Sequence, residues 1–582
     1  MASISPHPGD SEAGVRSHHG DFAASSDDAV VSHSQAVTVT SLGSILPADP
    51  VDPVDHAPPS AVAPFHRIPP EIIAKIISYS ALLAEGVSYE IKEEDNAAAA
   101  RESNWVAVTH VCYQWRAIAL SDARLWARVN FDLGGAWARI FIERAKDLPL
   151  SFHARRDFTH MSTRVALDHL HRATALHLSS PDDGFEDFFL ETVQGNQLRN
   201  VETVNLSTQY KNTSEEWRRP NSFVLFQSMA SRNLRHLSLC IENTMLYSSM
   251  HSMRHLSGLQ TLKIIYKDSD ARLMKRMGPG ADELVRTIGR MKALEVLVLN
   301  VVPLPPDEPN TSPTAYLPQL TELSLGSTYK SVDFMMAHLD VPDSARIALQ
   351  CNATSPSDFP SDRNRLCTSL GRHFPFAPAA AAIRCPSPSP FHRRLVFSAW
   401  RTQGHPIKDS QPDITVSFDW RFNDRDTART CQELDRDLAA TLLERVGSLS
   451  LQQLTVDAPL LPWPVECWEH IIVYATEIER LSTDAASTRA LCPPLLEGVL
   501  CGSEVLPVLS SWTLRDLEVS LPEIPRGEDE IVAAVRALAE GGTQLREVVL
   551  EASVAPDEWM DELRSAAGAA SVVVADTDLA GT

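Results

Sequence analysis

The 582-residue chain has no run of eighteen apolar residues, and its opening "MASISPHPGDSEAGVRSHHGD" has neither a basic start nor an apolar core segment. A membrane span and a cleaved leader are therefore not expected, and the chain reads as intracellular, cytoplasmic and/or nuclear. Its nine cysteines stand singly, without a C-x-x-C pair, which excludes a zinc ribbon or a disulfide framework and leaves reduced thiols. Lysine is missing from Cys431 onward: 27 Asp and Glu face 9 Arg there, so 9 − 27 = −18 of the formal charge of −23 falls in the last 152 residues. That balance argues against nucleic-acid binding, which needs a basic face; the acidic half reads first as a well-solvated surface, with a basic protein partner as the sharper alternative.

The signatures of catalysis are missing as well. No G-x-S-x-G elbow, Walker A loop, G-x-G-x-x-G turn or H-E-x-x-H helix occurs. His251 and His255 stand four apart but have no third ligand nearby, so they read as surface histidines rather than a metal site. Cys467 and His470 flank an apolar Trp468, which favours a half-buried thiol over a nucleophile and base. The expectation is a non-enzyme with no catalytic residue, no metal and no cofactor.

What is present begins at "FHRIPPEIIAKIISYS", after residues 1–61, whose Ser, Ala, Asp and Pro predict a disordered tail. Tandem Pro69 and Pro70 suit a helix's first turn, where backbone N–H groups have no partner, and Glu71 complements the positive helix end. Ile72, Ile73, Ile76 and Ile77 then make an apolar surface wider than one stripe, so this helix can face two partners. Further on, Trp105, Val108, Cys112, Trp115 and Ala119 recur at helical steps, and Leu125 with Trp126 closes the segment.

From residue 170 an L-x-x-L-x-L phrase returns between helical spacers: "ATALHL" at 173, "VETVNL" at 201, "LRHLSL" at 234, "LQTLKI" at 259, "LEVLVL" at 294 and "LTELSL" at 320. After a gap come "LQQLTV" at 451, "LRDLEV" at 514 and "LREVVL" at 545, with "ARIALQC" near 347 and "ITVSF" near 414 as weaker strands. A strand and a helix per repeat predict an α/β fold, a curved leucine-rich-repeat-like solenoid over 170–582. Pro- and Ser-rich stretches at 301–318 and 352–390 read as loops, the second holding Ser387 and Ser389 before prolines. In each strand the last two apolar residues should point inward and the residue between them outward. The rule names Leu237, Leu262, Leu297, Leu323, Leu454 and Leu517 as buried, and Ser238, Lys263, Val298, Ser324, Thr455 and Glu518 as an exposed partner-binding row.

The order Pro-Pro-Glu-Ile-Ile, then V-C-x-x-W-R, then L-W resembles the F-box over residues 62–130, with 131–169 as a connecting segment. The matching residues are Pro69, Pro70, Glu71, Ile72, Ile73, Ile76, Ile77, Val111, Cys112, Trp115, Arg116, Ile118, Leu125 and Trp126. The resemblance implies a small all-helical module that binds the Skp-type adaptor of a cullin–RING (SCF-type) ubiquitin ligase through all of these residues except Arg116 and Ile118. The span between its halves, "LLAEGVSYEIKEEDNAAAARESN", exceeds the compact motif, a length that loop-closure entropy tolerates. The repeats look like those following the F-box in proteins abundant in mushroom-forming fungi, which implies a substrate-recognition subunit whose solenoid holds a target protein. The alternative is a repeat-based protein-binding scaffold without a ligase role.

Overall fold

In the computed structural model the described residues are 68–83, 109–154, 160–180, 198–208, 233–241, 256–266, 281–300, 302, 313–353, 378–384, 392–400, 411–421, 451–457, 468–469, 471–472, 476–501, 505–515, 529–541, 543–551 and 555–575. Ile68–Thr582 forms one unit and Met1–Arg67 another. The expected tail at 1–61, Trp105, Val108, His251, His255, Ser387, Ser389, Cys467 and His470 lie outside the described residues.

The second unit opens with α1 (Pro70–Leu83), α2 (Tyr113–Ser121) and the short α3 (Ala123–Trp126). The proline start works as expected, with Ile72 and Ile73 N–H both donating to the Pro69 carbonyl at 3.0 and 3.2 Å. Asp122 caps α3 by accepting from the Arg124 N–H, and its carboxyl pKa is lowered chiefly by the Arg124 side chain. Trp126 anchors the segment: its indole donates to the Ala119 carbonyl at 2.9 Å, Phe141 meets it edge-on, and the Arg144 guanidinium lies over its ring.

The sheet starts earlier than the repeats read from sequence. Strands β1 (Arg128–Asn130) and β2 (Leu150–Ala154) flank α4 (Gly135–Arg144), and α5 (His160–His169) leads into β3 (Ala173–Ser180). There follow β4 (Thr203–Thr208), β5 (His236–Ile241), β6 (Thr261–Tyr266), α6 (Ala281–Ile288), β7 (Val296–Leu299), β8 (Ala315–Tyr316), β9 (Glu322–Thr328), α7 (Tyr329–His338), β10 (Leu339–Asp340) and β11 (Arg346–Ala353). The second half holds β12 (Ala380–Arg384), β13 (His392–Trp400), β14 (Ile414–Arg421), β15 (Gln453–Asp457), β16 (Arg480–Asp484), α8 (Ala485–Leu500), β17 (Ser511–Arg515), α9 (Glu530–Glu540), β18 (Glu547–Glu551), α10 (Asp557–Ala567) and β19 (Ser571–Ala575).

Seventeen of these strands form one sheet, with β8 and β10 pairing apart. From β1 to β7, then through β9 to β11, neighbours pair parallel, and so do β15 to β19. The molecule is thus a mixed α/β protein dominated by a long parallel sheet, in the strand-per-repeat manner of a leucine-rich-repeat solenoid. The phrases explain it. Every first, fourth and sixth residue of the phrases at 173, 201, 234, 259, 294, 320, 451 and 545 is buried, except that Leu545 is partly buried and packed against the same core. Each fully buried Leu or Ile side chain contributes about 1.5–3 kcal/mol relative to exposure.

An apolar residue three places upstream extends the phrase. In Leu198-x-x-Val201, Leu256-x-x-Leu259, Met291-x-x-Leu294, Leu317-x-x-Leu320 and Leu506-x-x-Leu509, the later N–H donates to the earlier carbonyl at 3.0–3.2 Å. A tight turn thereby feeds each of these strands. Gly326 in β9 also has a steric reason: a Cβ there would meet the Asn300 carbonyl oxygen at 2.9 Å.

Three expectations are corrected. The 352–390 stretch is not loop throughout, because "AAAIR" is β12, whose Ala380, Ala381, Ala382 and Ile383 are buried. Alanine-rich sequence reads as spacer, yet small side chains suit a strand covered on both faces. β12 pairs with β15, β14 pairs with β11, and β13 runs antiparallel between β12 and β14, the one reversed strand of the sheet among the described residues. Likewise Ala315 and Tyr316, inside the expected 301–318 loop, form β8. The "LRDLEV" phrase is out of phase: β17 is Ser511–Arg515, with Leu509, Trp512 and Leu514 in the three inward positions, while Leu517 and Glu518 lie outside the described residues. Tryptophan in the middle position hid the true phrase.

Candidate functional site

No described residues gather three or more His, Cys, Asp or Glu side chains in a position to hold a metal ion, and no described helix is long and apolar enough to cross a membrane. The features that invite a ligand are two surfaces, one helical and one on the sheet.

The helical surface follows from the four isoleucines of α1. At 3.6 residues per turn, Ile73 and Ile77 share one face while Ile72, Ile76 and Tyr79 share another. The structure sends the first pair inward, 0% exposed, and leaves Ile72 and Ile76 at 45% and 42%. α1 packs against α2, whose Ala119 is buried and whose Trp115 and Ile118 are half-buried against the core. Large apolar side chains remain exposed around that packing: Tyr79 on α1, Val111 just before α2, and Tyr113 and Leu120 on α2.

Of the residues expected to hold an adaptor, Pro69, Pro70, Glu71, Ile72, Ile76 and Val111 are exposed, and Cys112 and Trp115 are half-buried. Ile73, Ile77, Leu125 and Trp126 are buried and belong to the chain's own core, which corrects their assignment to a contact surface. A helix of fourteen residues cannot present all four isoleucines outward, because the inner pair is what fastens it to α2. Tyr79, Tyr113 and Leu120 join this exposed surface from outside the expected set, and Tyr79, seven residues after Ile72, shares its helix face.

The sheet surface is the face turned away from the leucines. Register carries one row across all seventeen strands: Asn130, His153, His177, Asn205, Ser238, Lys263, Val298, Ser324, Ala348, Thr415, Ser398, Ala382, Thr455, Ser482, Thr513, Val549 and Val573. Ser238, Lys263, Val298, Ser324 and Thr455 therefore do lie on one row, as alternation predicts. Ser238, Lys263, Val298 and Ser324 are partly exposed, whereas Thr455 is buried, which corrects its place on an exposed surface. Its row neighbour Ala382 belongs to a small apolar cluster with Ala380 and Trp400 on this same face. Thr513 occupies the row position in β17 that the sequence assigned to Glu518.

At the β1–β3 end the row is aromatic and basic. His153 stacks on His177 with ring centroids 4.6 Å apart, and Arg128 and Ser151 bond to the His153 ring at 3.2 and 2.8 Å. Burial, helped by the Arg128 charge, pushes the His177 pKa down to about 4, so this imidazole is neutral at physiological pH.

No protein-family model matches the chain, and no curated protein matches it. Among solved structures it is similar to a leucine-rich repeat-containing protein, LegL7, from Legionella pneumophila. The similarity is at 12% identity over 72% of this chain and 87% of that one, with a TM-score of 0.21.

Proposed function

We propose that this chain is a protein-binding receptor: α1 and α2 dock a Skp-type adaptor of a cullin–RING ubiquitin ligase, and the open face of the sheet holds the target protein. The observation that carries this reading is the exposed stripe of Ile72, Ile76 and Tyr79 on a helix whose opposite stripe is already buried. Apolar side chains clustered on a helix outside the core mark a protein interaction surface. The residues lie within the Pro-Pro-Glu-Ile-Ile and V-C-x-x-W-R pattern that resembles the F-box. The chain contributes no chemistry of its own in this reading; it supplies proximity.

The test is association of the full chain with a purified Skp-type adaptor. Ile72→Asp with Ile76→Asp should abolish it and leave the thermal midpoint in place, since a carboxylate buried in an apolar interface costs several kcal/mol whereas the free surface accepts it. Undiminished adaptor binding by that double variant would overturn the adaptor assignment.

A second reading has its own observation. Leu125, Trp126 and Phe141 share one hydrophobic cluster with the first strands, so the helices close the end of the sheet as well as carry an exposed face. End strands of a repeat array need such a cap. A scaffold whose helices serve only as that cap would bind no adaptor and still hold a partner on the sheet.

A further inference from the structure

Strand β19 pairs with β18 and with no other described strand. At the opposite end of the sheet α3 and α4 pack on β1, but at β19 the core row itself runs out into solvent. Val548 and Leu550 of β18 are buried, whereas Val574, opposite Leu550, is 53% exposed, and Val573 on the open face is 40% exposed.

The backbone is open as well. The Ser571 N–H donates to the Arg546 carbonyl at 2.8 Å, and in a parallel ladder alternate residues of a strand bond to the same neighbour. Ser571, Val573 and Ala575 thus face β18, while Val572 and Val574 turn their N–H and C=O groups to the free edge. Edges of natural sheets carry charges, proline or a bulge that discourage pairing. β19 carries none of these: its register with β18 is unbroken, and residues 565–575, "SAAGAASVVVA", hold no charge and no proline in the most acidic part of the chain.

We propose that β19 is a self-pairing edge, which joins a second copy of this chain by antiparallel pairing about a two-fold axis through Val573. Hydrogen bonding selects this arrangement. With Val573 opposite its own copy, Val572 stands opposite Val574 of the second molecule, and two opposed residues that both face the edge exchange both their bonds. Every edge-facing N–H of the two strands then finds an acceptor. A two-fold axis normal to the sheet keeps the faces apart: Val572 and Val574 cover each other along the core row, and the two Val573 side chains meet on the open face. Ser571 falls opposite Ala575, so no charge meets another across the pair. A charged segment would find no counter-charge on β19, whereas the copy brings an equally uncharged strand. The pairing is isologous and closes at two. Five residues a side bury less than the about 1,200 Å² of a standard interface, so the dimer is weak. The exposed acids of α10, Asp557, Glu558, Asp561 and Glu562, oppose it at low salt.

The experiment is sedimentation equilibrium of the full chain at about 1–200 µM, the range suited to a weak interface, in low and high salt. A monomer–dimer equilibrium should appear and should strengthen as salt screens α10. Val573→Lys and Val573→Glu should each remain monomeric, because like charges fall directly opposite on the axis, and an equimolar mixture of the two should recover the dimer. Val574→Pro, which removes an edge N–H and no bond to β18, should also remain monomeric with its thermal midpoint unchanged. The surface control Arg139→Glu should dimerise as the parent does. Monomer at every concentration would overturn the proposal and leave the edge to a foreign strand. Dimers of Val573→Lys as tight as the parent's, a mixture that stays monomeric, or growth beyond two copies would overturn it as well.

Discussion

Leu297 and Lys263 occupy adjacent strands and opposite faces, and their substitutions should differ accordingly. Leu297 is fully buried beside Leu262 and Leu323, so Leu297→Ala should cost ~2–5 kcal/mol in urea unfolding through lost transfer energy and a cavity. Lys263→Glu, on a partly exposed position of the open face, should cost less than about 0.5 kcal/mol. A reversed order would show the in-and-out phase to be wrong. His177 gives a pH signature. Its folded pKa of about 4 lies below the ordinary 6.5 because burial and Arg128 disfavour the charged ring, so the unfolded chain binds the extra proton first. The stability that this neutral ring represents is complete above pH 6.5 and is lost as pH falls from there towards 4. The thermal midpoint should therefore drop across that window, and His177→Gln should flatten the drop. An equally steep fall in the variant would assign the acid sensitivity to other groups.

At the scale of the element, β16 and β17 show how a polar residue takes an inward position. Thr483 is fully buried where other strands place leucine, because its hydroxyl accepts from the Trp512 indole at 3.1 Å and bonds Thr488 at 2.7 Å. Thr488 in turn donates to the Asp484 carbonyl, and the Asp484 carboxylate caps α8. Thr483→Val keeps the shape and removes the partners, leaving the Trp512 N–H buried and unpaired, so a loss of about 1–3 kcal/mol is expected from chemical denaturation. An unchanged midpoint would mean that the pocket admits water. The same network explains why these two repeats were hard to read. Threonine breaks the apolar pattern of "IERLST", and Trp512 breaks the leucine pattern of "LSSWTL", whereas the more regular "LRDLEV" begins five residues late. α1 teaches a related lesson: the spacing of its isoleucines foretold two apolar faces, but which face met α2 depended on where Ala119 and Trp115 stood.

For the whole molecule, one hydrophobic cluster runs from Ile73 to Ala567, and the two ends of its sheet are treated differently. At the first end α3 and α4 pack on β1, and Trp126 and Phe141 fill the space beneath them. At the other end β19 leaves Val573 and Val574 exposed, although Val574 pairs with the fully inward Leu550. A chain lacking residues 68–130 should therefore lose its first strand and its cap, uncover Phe141 and Phe152, and unfold at a clearly lower temperature than the intact chain. An unchanged midpoint would make the helices an independent appendage. What the sequence alone determined is periodic and local. The i, i+3, i+5 leucines dictate inward and outward sides because a strand alternates with period two, and the tandem prolines dictate where α1 begins because the first turn needs no N–H donors. What only the tertiary structure decided depends on neighbours distant in the chain. Ala380–Arg384 became a central strand because β13 and β15 lie on either side of it, and Ile73 rather than Ile72 turned inward because α2 packs there. Local pattern sets what a residue prefers, and packing partners set which of two allowed faces it takes.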